Sequence, residues 1–314
     1  SVSIITAQDI KNSADPVDPI RTLVNIPGVQ IQQQSANTLN IEMRAGAGIF
    51  GTSAFPMLDY RYLVTPSAGQ FLSFQTGLSN IDVAKVEVVR GAASALYGPG
   101  VTSGVVHFIS KNPIDYPGTT IELVAGTLNT LGANIRHAYA NESKTLGFKV
   151  NARITQGDDF QVDPNDATFL ATNRNAIYQP SLKNGRVDPT AQGTLLLSSD
   201  DLDDNNNGIP LATKYKNVSA NAHLELRPND NTSAFLSAGV AKGGGLFFNS
   251  QGAGYANGTD YWTQARVQSG GFFGQLSYNY NDGGTADEPT FLYASGFRQV
   301  AKRSALELQL QYNF

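Results

Sequence analysis

The sequence predicts an antiparallel membrane β-barrel from Thr119 onward, preceded by a small α+β domain over residues 1–115. Three observations point there. The grammar of the chain changes abruptly after Pro113 and Pro117, from mixed short periods to long period-two runs. Those runs outlast ordinary soluble strands, whose mode is about 5–6 residues. Aromatic residues also gather near their ends, as amphipathic rings do at headgroup depth. A soluble β-sandwich alternates too, so pattern alone leaves that architecture open.

The elements read in order as follows. Val2-Ser3-Ile4-Ile5-Thr6 has the branched apolar content of a strand, and Ala7 to Ile10 opens a short helix. A Pro-punctuated stretch from Pro16 to Pro19 leads into Ile20 to Asn25. The Gly-rich stretch from Arg44 to Leu78 is the most irregular part of this half. Ile81 to Val89 returns to strand character.

In the second half, Leu146, Phe148, Val150, Ala152 and Ile154 alternate with Gly147, Lys149, Asn151, Arg153 and Thr155. Val218 to Leu226 alternates with Ser219 to Arg227, and Ser304 to Phe314 repeats the pattern. Each run matches the roughly ten-residue alternation of an outer-membrane strand. Tyr139, Phe160, Tyr261, Trp262, Tyr278, Tyr280, Tyr312 and Phe314 supply the aromatic ends. Asn141 to Lys144 and Arg227 to Asn231 read as tight polar turns; Asp158 to Thr213 and Asn249 to Gly258 read as long excursions. Short turns at one end and long loops at the other suit a barrel whose long loops face outside. Gly243-Gly244-Gly245 lacks the Lys and helix of a phosphate loop and reads as a bend or bulge in a strand.

Composition excludes several classes. A formal charge of −4 over 314 residues gives no broad basic face, so a nucleic-acid partner is not expected. Zero Cys removes disulfides and thiolate metal sites. The apolar runs fall far short of the roughly 18 residues of a membrane helix. No charged and then apolar leader opens the chain, so Ser1 is expected to be a processed or truncated terminus.

The most specific signal is Val86-Glu87-Val88-Val89-Arg90-Gly91-Ala92-Ala93-Ser94-Ala95-Leu96-Tyr97-Gly98-Pro99-Gly100, continuing through Gly104-Val105-Val106-His107-Phe108-Ile109-Ser110-Lys111. It resembles the plug signature of TonB-dependent receptors, and Ile26-Pro27-Gly28-Val29 resembles an earlier element of the same plug. The resemblance implies an α+β plug inside the lumen of a barrel of about 22 strands. Residues 116–314 hold only about nine at outer-membrane lengths, so the remaining strands are expected in further sequence or in another chain. An eight-stranded barrel ending at Phe314 is the alternative, but its interior is too narrow for such a plug. Departures from the family pattern occur at Ile41 to Gly46 and at Met57 to Tyr62; the energy-coupling box that precedes the plug in the family is not recognisable here and is expected to have been lost with the N-terminus.

The glycines Gly91, Gly98, Gly100 and Gly104 are expected to permit tight turns and close backbone approach. By the resemblance, Glu87 and Arg90 are the pair expected to lock plug to barrel; an ordinary solvated pair worth about 0–1 kcal/mol is the plainer reading. Phe50, Phe55, Tyr60, Phe71 and Phe74 are candidates for ligand-facing groups, with packing against the wall as the alternative. Asp201, Asp203, Asn205 and Asn207 are spaced as oxygen ligands of a calcium loop. The closing Glu is missing, with Lys214 in its place, and a solvated external loop is the favoured reading. His107, His137 and His223 lack metal-ligand spacing and are expected to be structural.

The implied function is import, without catalysis, of a scarce solute across the outer membrane of a Gram-negative-type cell. Its class is open among iron-siderophore, cofactor, glycan and peptide. The implied partners are outer-membrane lipid, TonB with its inner-membrane motor, the solute and other outer-membrane proteins. A non-transporting subunit that retains the fold is the second reading, and a soluble adhesin the third.

Overall fold

A computed structural model describes residues 2–13, 18–43, 54–66, 69–91, 97, 101, 103–160, 195–196, 214–249, 252–285, 290–292 and 297–313. The first part contains β1 (Val2–Thr6), α1 (Ala7–Lys11), β2 (Val29–Gln33), β3 (Leu39–Met43), β4 (Phe55–Leu58), β5 (Arg61–Tyr62), β6 (Val64–Thr65), β7 (Gln70–Phe71), β8 (Val83–Arg90) and β9 (Gly104–Ser110). Five of these strands form one mixed sheet in the order β1-β8-β9-β4-β5, with β4 and β9 parallel. Short as it is, α1 is held by a capping box: Asp9 N donates to Thr6 Oγ1 at 3.2 Å and Thr6 N to Asp9 Oδ2 at 2.8 Å. The segment after the Pro-rich stretch, Pro19–Asn25, closes as a 3-10 helix rather than a longer α-helix.

This domain has an ordinary apolar core. Ile20, Leu23, Leu39, Met43, Val86, Val88 and Phe108 meet beneath the sheet, all fully buried. Burying each such side chain contributes about 1.5–3 kcal/mol, and Phe108→Ala would cost about 3–5 kcal/mol. Gly104 shows why the motif needs glycine there. Its φ is +153°, and a Cβ would lie 2.4 Å from Val89 O and 2.8 Å from Met43 Cε.

From Gly118 the chain forms a single antiparallel wall. Its long strands are β10 (Gly118–Ala125), β11 (Leu131–Ala140), β12 (Leu146–Asp158), β14 (Lys214–Asn229), β15 (Thr232–Asn249), β16 (Gly252–Ser269), β17 (Phe272–Asp282) and β20 (Lys302–Tyr312). Three short strands, β13 (Leu195–Leu196), β18 (Thr290–Leu292) and β19 (Phe297–Gln299), join the same sheet. Tight turns at one end and two long connections, 159–213 and 283–301, at the other define a short-turn rim and an external rim. The result is a partial barrel, with β10 paired to β11 at one margin and β20 paired to β17 at the other.

The burial of the wall is inverted relative to a soluble sheet. Along β12, Leu146, Phe148, Val150 and Ile154 are exposed, whereas Lys149 and Asn151 are 2% and 4% exposed. Arg136 on β11 and Gln275, Ser277 and Asn281 on β17 are buried too, while Leu306, Leu308 and Leu310 on β20 are exposed. A sandwich would bury the apolar residues; only a hydrocarbon surrounding makes this arrangement stable. The sandwich alternative is therefore removed.

Two expectations for the wall are corrected. Gly243–Gly245 form no bulge: the β15–β16 register runs unbroken through Lys242↔Thr259, Gly243↔Gly258, Gly244↔Asn257 and Gly245↔Ala256. For the same reason 249–258 is not a long excursion, because β15 and β16 extend as one tall hairpin, with Asn249 opposite Gly252.

Candidate plug–wall interface

The inner face of the wall is polar, and it holds the first domain at three levels. The deepest is built around Asp82, which the turn before β8 delivers to the wall. Arg136 Nε lies 2.8 Å from Asp82 Oδ1, and Lys149 Nζ lies 2.9 Å from Oδ2. Arg136 and Lys149 sit on adjacent strands of the wall, with alternation turning both inward. Lys149 Nζ also donates to Ser110 Oγ and Lys111 O, both at 2.9 Å. Ser110 Oγ in turn donates to Asp59 Oδ2 at 2.6 Å. One wall lysine thus joins the start of β8, the end of β9 and the β4–β5 turn.

Burial opposes ionisation of Asp59, but the Lys149 charge and two hydrogen bonds from Ser110 outweigh it and hold the carboxyl below its usual range. Asp59 and Tyr60 have φ of +48° and +65°, in the left-handed region that costs non-glycine residues energy. That turn presents carbonyls to the wall. Gln264 Nε2 donates to Asp59 O at 2.6 Å, Arg266 Nη2 donates to the same oxygen, and Gln275 Nε2 donates to Tyr60 O at 3.1 Å. The Arg266 guanidinium lies over the Tyr60 and Phe235 rings, 4.9 and 4.6 Å from their centroids. Behind the turn, His107 Nε2 accepts from Tyr60 N at 3.1 Å. Burial pushes this imidazole down to about 4, leaving it neutral.

The middle level is Arg61 against Trp262, the only tryptophan of the chain. The guanidinium carbon sits 4.4 Å from the ring centroid, and Nη1 donates to Asn279 Oδ1 at 3.1 Å. Glycines make the space: a Cβ at Gly77 or Gly239 would fall 2.5 or 2.2 Å from Trp262 ring atoms. The upper level is the Gly243–Gly245 surface. A Cβ at Gly245 would meet Thr38 Oγ1 at 2.7 Å and Phe74 Cε1 at 2.9 Å. Gly243 and Gly245 make a smooth seat, where Phe74, with Leu72, packs against Phe247 and Ala256. Gln75, beside it, satisfies both neighbours when its amide is assigned with nitrogen toward Asp260 Oδ2, at 2.8 Å, and oxygen toward Gly258 N, at 3.1 Å.

The residues singled out from sequence fare unevenly. Glu87 pairs with Lys85 at 2.7 Å, and Arg90 donates to Pro27 O at 2.6 Å and Ser3 Oγ at 3.0 Å. Those bonds lie inside the first domain, and the buried ion pairs that join domain to wall run instead through Asp82, Arg136 and Lys149. Both residues stand on β8, which is flanked by β1 and β9. Phe71 belongs to the domain core and Phe74 to the wall contact, which corrects their ligand-facing assignment. Phe55 stacks on Tyr62, with centroids 3.8 Å apart, and Tyr60 packs under Arg266. Gly91 N bonds Ser103 O at 2.8 Å with φ at +110°. Phe50, Gly98, Gly100, Asp201, Asp203, Asn205 and Asn207 lie outside the described residues. His137 meets Thr119 at 2.8 Å and His223 meets Glu225 at 2.8 Å.

Sequence reasoning passed over Asp82, Arg136, Lys149 and Arg266. For Arg136, Lys149 and Arg266 the available signal was charge at inward positions of lipid-facing strands, where an unpaired ion is too costly to persist; for Asp82 there was none.

Comparison with known proteins agrees with this geometry. Residues 1–105 match the TonB-dependent Receptor Plug Domain family. The chain is 32% identical to the ferric enterobactin receptor PirA of Pseudomonas aeruginosa over 36% of its own length and 17% of that receptor. It is 31% identical to the vitamin B12 transporter BtuB of Vibrio cholerae serotype O1, over 41% of its length and 20% of the transporter. It therefore spans about a fifth of these curated relatives. Among solved structures, the ferric enterobactin receptor PfeA superposes with a TM-score of 0.59 at 18% identity, covering 98% of this chain and 45% of that one. The copper transporter OprC gives 0.55 at 14% identity, covering 89% and 37%. At such identities the superpositions speak for the fold.

Proposed function

Because this chain is a TonB-dependent receptor plug seated in part of its outer-membrane barrel, we propose that it serves the energised import of a scarce solute into the periplasm. The carrying observation is the polar seat of the plug. Beside the Phe74 packing and the ring contacts of Arg61 and Arg266, its described contacts with the wall are hydrogen bonds and ion pairs, which water can replace once the plug shifts. An apolar seat would not release in that way.

In this reading the solute binds on the external side, between plug and outer loops, and TonB pulls the plug to open a path. Asp82, gripped by Arg136 and Lys149, is the strongest tether to be broken. The ligands for which the relatives are named, ferric enterobactin and vitamin B12, support a bulky scarce chelate or cofactor as the solute class. Glycan and peptide are the competing classes. The chain is a receptor, not an enzyme. The test is uptake of labelled ferric siderophore and of cobalamin by cells carrying the full protein, with active and inactive TonB. TonB-dependent uptake of one of them supports the proposal. Uptake of neither, with a stoichiometric partner co-purifying, favours a non-transporting subunit.

A further inference from the structure

The imidazole of His107 is buried between the plug sheet and the β4–β5 turn. Nε2 accepts from Tyr60 N at 3.1 Å, so the ring proton sits on Nδ1. Nδ1 has no hydrogen-bond partner among the described residues. The ring stands edge-on to Tyr60, with centroids 4.4 Å apart, and to Tyr97 at 6.3 Å. The charged groups facing it are the carboxylates of Asp59 and Glu87 and the cations of Arg266 and Lys85. Two favour a charged ring and two oppose it. Burial outweighs both sets, so a second proton is taken up only at about 4. In place, a doubly protonated ring would have no acceptor at Nδ1 and would turn Nε2–H toward the Tyr60 amide hydrogen.

The two residues of the turn are held in different ways. Asp59 is fastened to the plug: Asp59 N donates to Phe108 O at 3.0 Å, and Ser110 N and Oγ donate to its carboxylate at 3.0 and 2.6 Å. That carboxyl titrates below its usual range, so it stays ionised where His107 gains its charge. Tyr60 is fastened to the wall through Gln275, which donates to its carbonyl at 3.1 Å, and through Arg266 over its ring. On the plug side its amide rests on His107. One half of the turn is thus indifferent to mild acid, and the other depends on a neutral imidazole.

We infer that the His107–Tyr60 hydrogen bond is an acid-released latch: a second proton on the imidazole frees Tyr60 from Arg266 and Gln275 while Asp59 stays in place. Once Tyr60 withdraws, the ring meets water and both of its N–H groups find acceptors. Tyr60 also leaves a φ of +65°, which costs a non-glycine residue energy. The latched ring takes its proton at about 4 and a freed ring near the ordinary 6.5. The open form therefore binds more protons between those values, and falling pH favours it. The inference rests on the seat of this turn and not on import.

The test is amide hydrogen exchange, read by mass spectrometry on the full protein in mild detergent at pH 7.5 and pH 5, with rates corrected for their intrinsic pH dependence. Protection over residues 57–63 is expected to fall about 30-fold between the two. Residues 83–90 on β8 and 146–155 on β12 are expected to keep theirs. His107→Gln cannot titrate, and its amide oxygen can still accept from Tyr60 N, so the fall should vanish in that variant. His137→Gln, on the exposed face of β11, should leave the fall as in the parent. Unchanged protection over 57–63 in the parent would overturn the inference. So would an equal loss across β8 and β12, which would mean general loosening, or an undiminished fall in His107→Gln. Should His107→Gln not fold, the comparison of segments within the parent still decides.

Discussion

Arg61 of the plug lies against the face of Trp262 of the wall, its guanidinium carbon 4.4 Å from the ring centroid. Because Trp262 is the only tryptophan, its fluorescence reports directly on the seating of the plug. In Arg61→Gln, the ring loses a cation–π contact worth about 0.5–2 kcal/mol and gains water. A red-shifted emission in the folded, detergent-solubilised protein is expected; an unmoved spectrum would show that the two groups do not depend on each other.

Replacing Asp82 with Asn leaves Arg136 and Lys149 without their counter-charge in a buried site. Breaking such a pair costs about 3–5 kcal/mol. Urea unfolding of the full protein is expected to show a loss of that size, and adding Lys149→Gln to Asp82→Asn should recover part of it. Strict additivity of the two single changes would contradict the coupling.

At Gly245, valine would place a Cβ 2.7 Å from Thr38 Oγ1 and 2.9 Å from Phe74 Cε1. Gly245→Val should therefore tilt the plug away from β15 without unfolding the wall. The expected readout is faster proteinase K cleavage within residues 34–38, with unchanged heat-modifiable migration of the barrel. Cleavage at the parental rate would argue against the seat.

Acidification should weaken the plug through His107. Its folded value, about 4, lies below the ordinary 6.5 because burial opposes the charged form. The unfolded chain therefore binds more protons between these two values, and stability falls as pH drops from about 6.5 towards 4. The loss from this group at pH 5 is about 2 kcal/mol. His107→Gln should flatten that part of the profile when thermal midpoints are compared between pH 7 and 5. A slope identical to the parent would place the dependence elsewhere.

Much of the architecture was legible in the residues. The alternation of Leu146 to Thr155 predicted both the strand and which side faces lipid, because a period of two admits only two assignments and lysine cannot face hydrocarbon. Val86 to Lys111 marked the plug motif, with Gly104 explained by a close approach that no side chain survives. The interface was less legible. Glu87 and Arg90 were conspicuous in sequence, yet their place on an inner strand of the plug sheet turns them toward plug partners. Asp82 carries the contact because the turn before β8 ends against β11 and β12, a juxtaposition that only tertiary structure supplies. Gly243–Gly245 misled for a related reason: glycine in a strand signals either a bend or a close neighbour, and here the neighbour is Phe74.

The wall takes hold of the plug largely through main-chain oxygens. Arg153 donates to Leu78 O, Arg136 and Lys149 to Lys111 O, and Gln264, Arg266 and Gln275 to the carbonyls of Asp59 and Tyr60. Every residue type owns a carbonyl, so substitution on the plug side seldom removes a handhold, whereas losing one wall donor always does. Drift should therefore run freely along much of the plug's surface while the lumen-facing donors stay put. A foreign plug following the same chain path, with an acid at the position of Asp82, should be accepted by this wall.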